Sequence, residues 1–130
     1  MEFITVEQFK EQPLEVQKVF LDWWKPSIGD IFMDLAPNSK KKLLAIEDKG
    51  DCVDIELIKR EVIPLLTEGQ IRRFIEDKKG EIVEIDLYCG GYSIVTEYRN
   101  FELGNLGRDL LQAYWKAAYK IASEEIKLEF

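Results

Sequence analysis

The segment Ile82–Tyr98 constrains the fold of this chain more than any other. Apolar and polar residues alternate on either side of Gly90–Gly91, a pair suited to the positive φ of a two-residue hairpin turn. With the turn there, Leu87 faces Ile94, Ile85 faces Thr96 and Val83 faces Tyr98, all on one side of the ribbon. Glu84, Asp86 and Glu97 fall on the opposite side together with Tyr88, Ser93 and Val95. A period of two held along both arms reads as a β-hairpin with one apolar face.

Helices flank this ribbon in the chain order. Thr5 and Gln8 have capping-box spacing, with Ile4 and Phe9 at the two positions of a hydrophobic staple, so a short helix starts there. Pro13 suits the first turn of a second helix, in which Val16, Phe20 and Trp24 recur at intervals of four and Val19 and Trp23 fill the adjacent row. Lys25–Pro26 ends it. Thr67 and Gln70 repeat the capping box, Leu66 and Ile71 the staple, and Ile71, Phe74 and Ile75 point inward until Gly80 closes the helix. A long last helix spans Leu106 to Leu128, its stripe formed by Leu106, Leu110, Ala113, Tyr114, Ala117 and Ile121, with Trp115 and Tyr119 beside it.

Between the second and third helices the period changes to two. Ile31, Met33 and Leu35 alternate with Asp30, Phe32 and Asp34, which predicts a strand. Pro37–Asn38–Ser39 and Lys40–Lys41–Lys42 form a solvated connection to a second strand through Leu44 and Ile46. Asp48–Lys49–Gly50–Asp51 is a turn signal, after which Val53, Ile55 and Leu57 alternate with Cys52, Asp54 and Glu56 as the other arm of a hairpin. The expected architecture is a single α+β domain over residues 1–130: an antiparallel sheet of two hairpins packed against N-terminal helices and a long C-terminal helix.

Composition narrows the chemistry. Among 130 residues there is no histidine, which removes Ser-His-Asp and Cys-His nucleophiles, His-liganded zinc and imidazole proton shuttles. Two cysteines supply neither a four-thiolate metal site nor a disulfide scaffold. An acid at the second position and the lack of a long apolar run predict a cytoplasmic protein with no membrane partner, in which Cys52 and Cys89 stay reduced. The net charge of −7 argues against direct nucleic-acid binding.

That charge is unevenly spread. Residues 47–58 carry five acids and one base, residues 81–97 four acids and no base, and the rest of the chain is close to neutral. If both stretches are hairpins of one sheet, Asp54, Glu56, Glu84, Asp86 and Glu97 share its outer face, with Tyr88 or Trp24 as an aromatic anchor for a basic partner. The plainer reading is that acids on the outer face keep the protein soluble and discourage edge pairing.

Other chemistry fits poorly. Asp48 to Asp54 resembles a calcium loop, but it lacks the alternating ligands before its glycine and has Lys59 where the closing glutamate belongs. The strand pairs Asp54/Glu56 and Glu84/Asp86 are spaced to hold a divalent ion but have no pocket. Gly104–Asn105–Leu106–Gly107 matches no phosphate-binding pattern, and Lys59–Arg60, Arg72–Arg73 and Lys78–Lys79 read as solvated faces. No catalytic residue, metal or cofactor is therefore assigned.

Three stretches, VQKVFLDWWKPSIGD (16–30), IPLLTEGQIRRFIED (63–77) and LLQAYWKAAYKIASEEI (110–126), resemble small uncharacterised proteins encoded in phages and prophages of low-GC Gram-positive bacteria. The resemblance implies a compact accessory protein acting in an infected or lysogenic cell. Together with the charge pattern it leads to the expectation of a non-enzymatic interaction protein, an acidic antagonist that binds a basic, nucleic-acid-channel surface of a host or defence protein. The alternative is a small-ligand or nucleotide-binding module, with a pocket between the sheet and the last helix lined by Tyr114, Trp115 and Tyr119. A carboxylate enzyme ranks third for want of a motif.

Overall fold

The structure, a computed structural model, describes residues 2–35, 43–88 and 90–127. The chain separates into two compact units, one formed by residues 5–66 and the other by the segments on either side of it.

In the unit of residues 5–66, the Thr5 hydroxyl accepts the Gln8 N–H at 3.1 Å while the Gln8 side chain accepts the Thr5 N–H at 3.0 Å, so α1 (Val6–Lys10) begins with the predicted capping box. Pro13 takes the N-cap of α2 (Leu14–Trp23) rather than its first turn. Val16 and Phe20 are buried from that helix, and the Phe20 and Phe9 rings lie 6.3 Å apart. Trp24, one residue past the helix, is 2% exposed, and its indole N–H donates to Asp30 Oδ2 at 2.9 Å. It therefore serves the core and not a binding surface, and Trp23 is the half-buried member of the pair.

The sheet of this unit has β1 (Ile31–Asp34) between β2 (Leu43–Ala45) and β3 (Val62–Pro64), antiparallel to both. Pro64 belongs to an edge strand, where a missing N–H leaves no ladder bond unmade. β1 forms where the alternation predicts a strand, with Phe32 buried and Ile31, Met33 and Leu35 half-buried. The connection assigned to Pro37–Asn38–Ser39 and the three lysines lies outside the described residues.

The main correction falls on residues 49–57. The strand expected from Val53, Ile55 and Leu57 is instead helix α3 (Lys49–Leu57). Asp48 Oδ1 accepts the Asp51 N–H at 2.8 Å, and Asp51 Oδ2 accepts the Glu47 N–H at 3.1 Å. Asp48 thus caps the first turn, while Asp51 reaches back to the residue before the cap, and what reads as a hairpin turn is a helix start. Burial then follows the helical period: Asp51, Cys52, Ile55, Ile58 and Lys59 are shielded while Val53 and Leu57 are exposed. Cys52 is a free, half-buried cysteine, and Cys89 lies outside the described residues.

In the other unit, Phe3 pairs with Thr67, which caps α4 (Glu68–Lys79) through a second capping box with Gln70. Ile71, Phe74 and Ile75 are buried, and Gly80 ends the helix at φ +67 as predicted. A three-stranded antiparallel sheet follows, β4 (Val83–Tyr88), β5 (Gly91–Thr96) and β6 (Glu102–Leu103), with β5 in the middle. The hairpin is as expected but its register differs by two residues: Val83 pairs with Thr96, Ile85 with Ile94 and Leu87 with Tyr92. An even shift keeps every side chain on its predicted face. Gly91 lies in the strand rather than the turn, because its other edge is held: Tyr92 N–H donates to Gly107 O at 2.7 Å and Leu106 N–H to Tyr92 O at 3.0 Å.

Helix α5 (Leu110–Lys127) packs against α4 and β5. It starts later than expected, where Asp109 Oδ1 accepts the Gln112 N–H at 3.1 Å, and Leu106 is buried ahead of it. Ala113, Ala117, Ala118 and Ala122 are all fully buried, which permits close approach along its length. The expected end at Leu128 lies outside the described residues. The fold is thus α+β with a long C-terminal helix, but its hairpins belong to two three-stranded sheets and not to one. Among the described residues no helix is long and apolar enough to cross a membrane.

The far end of the hairpin is closed by Glu81, whose carboxylate accepts the Tyr98 N–H and the Asn100 side-chain amide, both at 2.7 Å. Desolvation pushes this carboxyl up, but the bonds from Tyr98, Asn100 and Thr96 outweigh it and hold the pKa below the ordinary glutamate value. A group depressed in this way stabilises the fold above its unfolded pKa, and its contribution is lost as pH falls through the folded one. The thermal midpoint of Glu81→Gln should accordingly fall short of wild type near neutral pH, with the gap closing below about pH 4. Thermal melts of both proteins from pH 7 downward measure this. A second prediction concerns Gly91, at φ +130, where an added Cβ would stand 2.6 Å from Gly107 O. Gly91→Ala should cost about 1–3 kcal/mol in urea unfolding. Gly69→Ala in α4, where an added Cβ meets nothing within 4 Å, should instead stabilise by about 0.4–1 kcal/mol.

Candidate functional site

The six residues expected to bind a partner do not share one sheet. Asp54 and Glu56 lie on α3, two positions apart on a helix and so turned about 200° from each other. Glu56 meets Lys59 at 3.3 Å on one flank. Asp54 lies on another, beside a cleft of about 250 Å³ whose lining includes Phe32, Leu44, Ala45 and Ile55 together with the acids Glu47, Asp51 and Asp54. The common outer face proposed for all five acids is therefore overturned by the helical course of residues 49–57.

The hairpin retains four of the six. Glu84, Asp86 and Tyr88 alternate along β4 on one face, and all three are exposed, Tyr88 by 67%. Glu97 follows β5 in the turn, but its N–H donates to Ile82 O at 2.9 Å, extending the ladder by one pair. Residues opposite each other in a ladder share a face, which places Glu97 with Glu84 and Asp86. On the same side β5 is largely covered: Val95 and Gly91 are buried, the latter against the backbone of Gly107. The exposed part of the face is thus the row Glu84, Asp86 and Tyr88 along β4 with Glu97 beyond the end of β5, and Glu102, which pairs with Val95 from β6, is also exposed on that side. Among the described residues Glu84, Asp86 and Glu97 enter no ion pair.

The edge of β4 adds a feature the sequence does not announce. Val83 O accepts from Arg72 Nη2 at 3.0 Å, and Val83 N–H donates to Glu76 Oε2 at 2.9 Å. Both backbone groups of Val83 thus point away from β5 and are closed off by α4. The same Arg72 and Glu76 face each other at 3.7 Å. Sequence reasoning reads Arg72–Arg73 only as a solvated pair. The one available signal is the four-residue spacing of Arg72 and Glu76, which indicates an ion pair and not its target.

The aromatic residues assigned to a ligand pocket are placed differently. Tyr114 and Trp115 are 1% and 3% exposed and form part of the core of their unit; Tyr119 is half-buried and meets the Trp115 ring edge-on at 5.9 Å. Burial raises the Tyr114 pKa, opposed by the nearby Arg72 guanidinium, so the phenol is a neutral partner in the packing of α5. Among the described residues no group of three or more carboxylates and cysteines is arranged to hold a metal ion.

A second cleft, of about 500 Å³, has Lys18, Asp22, Glu56, Lys59, Arg60 and Glu61 in its lining. Its mixed charges select no ligand class.

Comparison with known proteins finds no matching family model, no similar curated protein and no similar solved structure.

Proposed function

We propose that this chain is a non-enzymatic interaction protein that presents the acidic strip of its β4–β5 hairpin to a basic surface. One arrangement supports this above all: Glu84, Asp86 and Tyr88 stand in an exposed row on β4, Glu97 shares their face, and their carboxylates are free of ion pairs among the described residues. Carboxylates so placed engage Lys and Arg side chains that otherwise bind phosphate, and Tyr88 adds apolar area with a polar tip. The partner this suits is the nucleic-acid channel of a host or defence protein, with no direct contact to nucleic acid. The phage-encoded setting implied by the sequence resemblance is consistent with such an antagonist and forms part of the proposal.

A second reading, a small-ligand module, has one specific support. The cleft of about 250 Å³ beside α3 combines an apolar floor with three acids, which suits a small organic cation. Native mass spectrometry of the protein purified from a bacterial cytosol tests it: a retained cationic small molecule supports the reading, and a bare chain mass counts against it.

For the interaction reading, the probe is a blocked peptide of sequence Lys-Val-Lys-Val-Lys-Val. Its affinity should fall by about tenfold or more on Glu84→Lys with Asp86→Lys, and should weaken as salt rises. The equally charged control Glu2→Lys with Glu11→Lys should bind nearly as wild type does. Equal losses in the two double variants would show attraction to net charge alone and end the proposal.

A further inference from the structure

We infer that the open edge of β4 takes up an extended peptide strand in which basic and apolar residues alternate, an inference that rests on the acidic-strip reading above. β4 is an edge strand of its sheet, and its residues alternate in where their backbone groups point. Ile82 O accepts from Glu97, which turns the even-numbered positions toward β5. Val83 bonds Arg72 and Glu76 instead, which turns the odd-numbered positions outward. Ile85 and Leu87 share the parity of Val83. Their N–H and C=O groups therefore line the edge beyond the point where α4 closes it, and no bond to another described residue occupies them. Such a row is a template for strand addition.

The closed and open portions define the docking length. Arg72 and Glu76 already act as a strand would at Val83, so an incoming segment bonds the edge only at Ile85 and Leu87 and lies beside Glu84–Tyr88, where Leu87 and Tyr88 are 62% and 67% exposed. Charge selects the occupant. Strand side chains beside Glu84 and Asp86 complete that face best when they are Lys or Arg, and those beside Ile85 and Leu87 when they are apolar. A second copy of the chain pairing through the same edge would set two Glu84/Asp86 rows side by side, and like charges opposite each other are destabilising.

Hydrogen exchange on the isotopically labelled wild-type protein, with and without saturating Lys-Val-Lys-Val-Lys-Val, tests the mode of binding. The Ile85 and Leu87 amides should slow by about tenfold or more, while those of Glu84 and Asp86, already bonded to β5, change little. If the peptide binds and its binding is lost on charge reversal at Glu84 and Asp86, yet the Ile85 and Leu87 amides exchange as in the free protein, strand addition falls and the acidic-strip reading stands. If binding ignores the charge reversal, or does not occur, both fall. Protection of the same two amides in the free protein that grows with its concentration assigns the edge to a second copy and overturns the inference.

Discussion

A strand at the margin of a sheet has backbone donors and acceptors on one side with no ladder to receive them, and this requirement organises the unit containing β4. Its inner side is met by β5. Among the described residues its outer side is met at Val83 alone, by a guanidinium and a carboxylate reaching across from α4. For those two side chains to arrive there, α4 must lie close along the sheet, which in turn depends on α5 packing against both. The run of fully buried alanines on α5 makes that approach possible, since larger residues there would hold α4 and β5 away.

The acids gain their meaning from the elements that carry them. On β4, a spacing of two gathers Glu84, Asp86 and Tyr88 into a row. On α3, the same spacing sends Asp54 and Glu56 to different flanks, one beside a cleft and the other onto Lys59. Two stretches of equal charge therefore produce one directed surface and one dispersed set. An electrostatic argument built on composition has to wait for the backbone period before it can name a surface.

Much of the fold is legible in the chain because local chemistry decides it. Both capping boxes, the left-handed Gly80 and the faces of the β4–β5 hairpin follow from a few neighbouring residues. Residues 49–57 were open to misreading because alternation of Val53, Ile55 and Leu57 imitates a strand, and the deciding signal was a carboxylate at Asp48 paired with another three residues on. Hairpin register depends on what holds Tyr92 from its far side, a contact with Gly107 that no local pattern reveals. Which side of β1 lies deeper is also settled by packing: each face of that strand is partly shielded, so alternation alone does not choose Phe32 over Ile31 and Met33. Of the expected site, the hairpin portion was readable and the helical portion was not, for the same reason.

The close approach of Gly91 to Gly107 makes the residue tolerated at one position depend on the backbone at a distant one. The backbone of Gly107, itself at φ +87, lies where any side chain at position 91 would have to begin. The first site is not free to drift by itself: a larger residue there demands that the backbone of the second give way, and that backbone is bound through Tyr92 to the strand it would have to leave. Divergent descendants of this chain should keep glycine at position 91 for as long as the loop that joins the sheet to its last helix keeps this course.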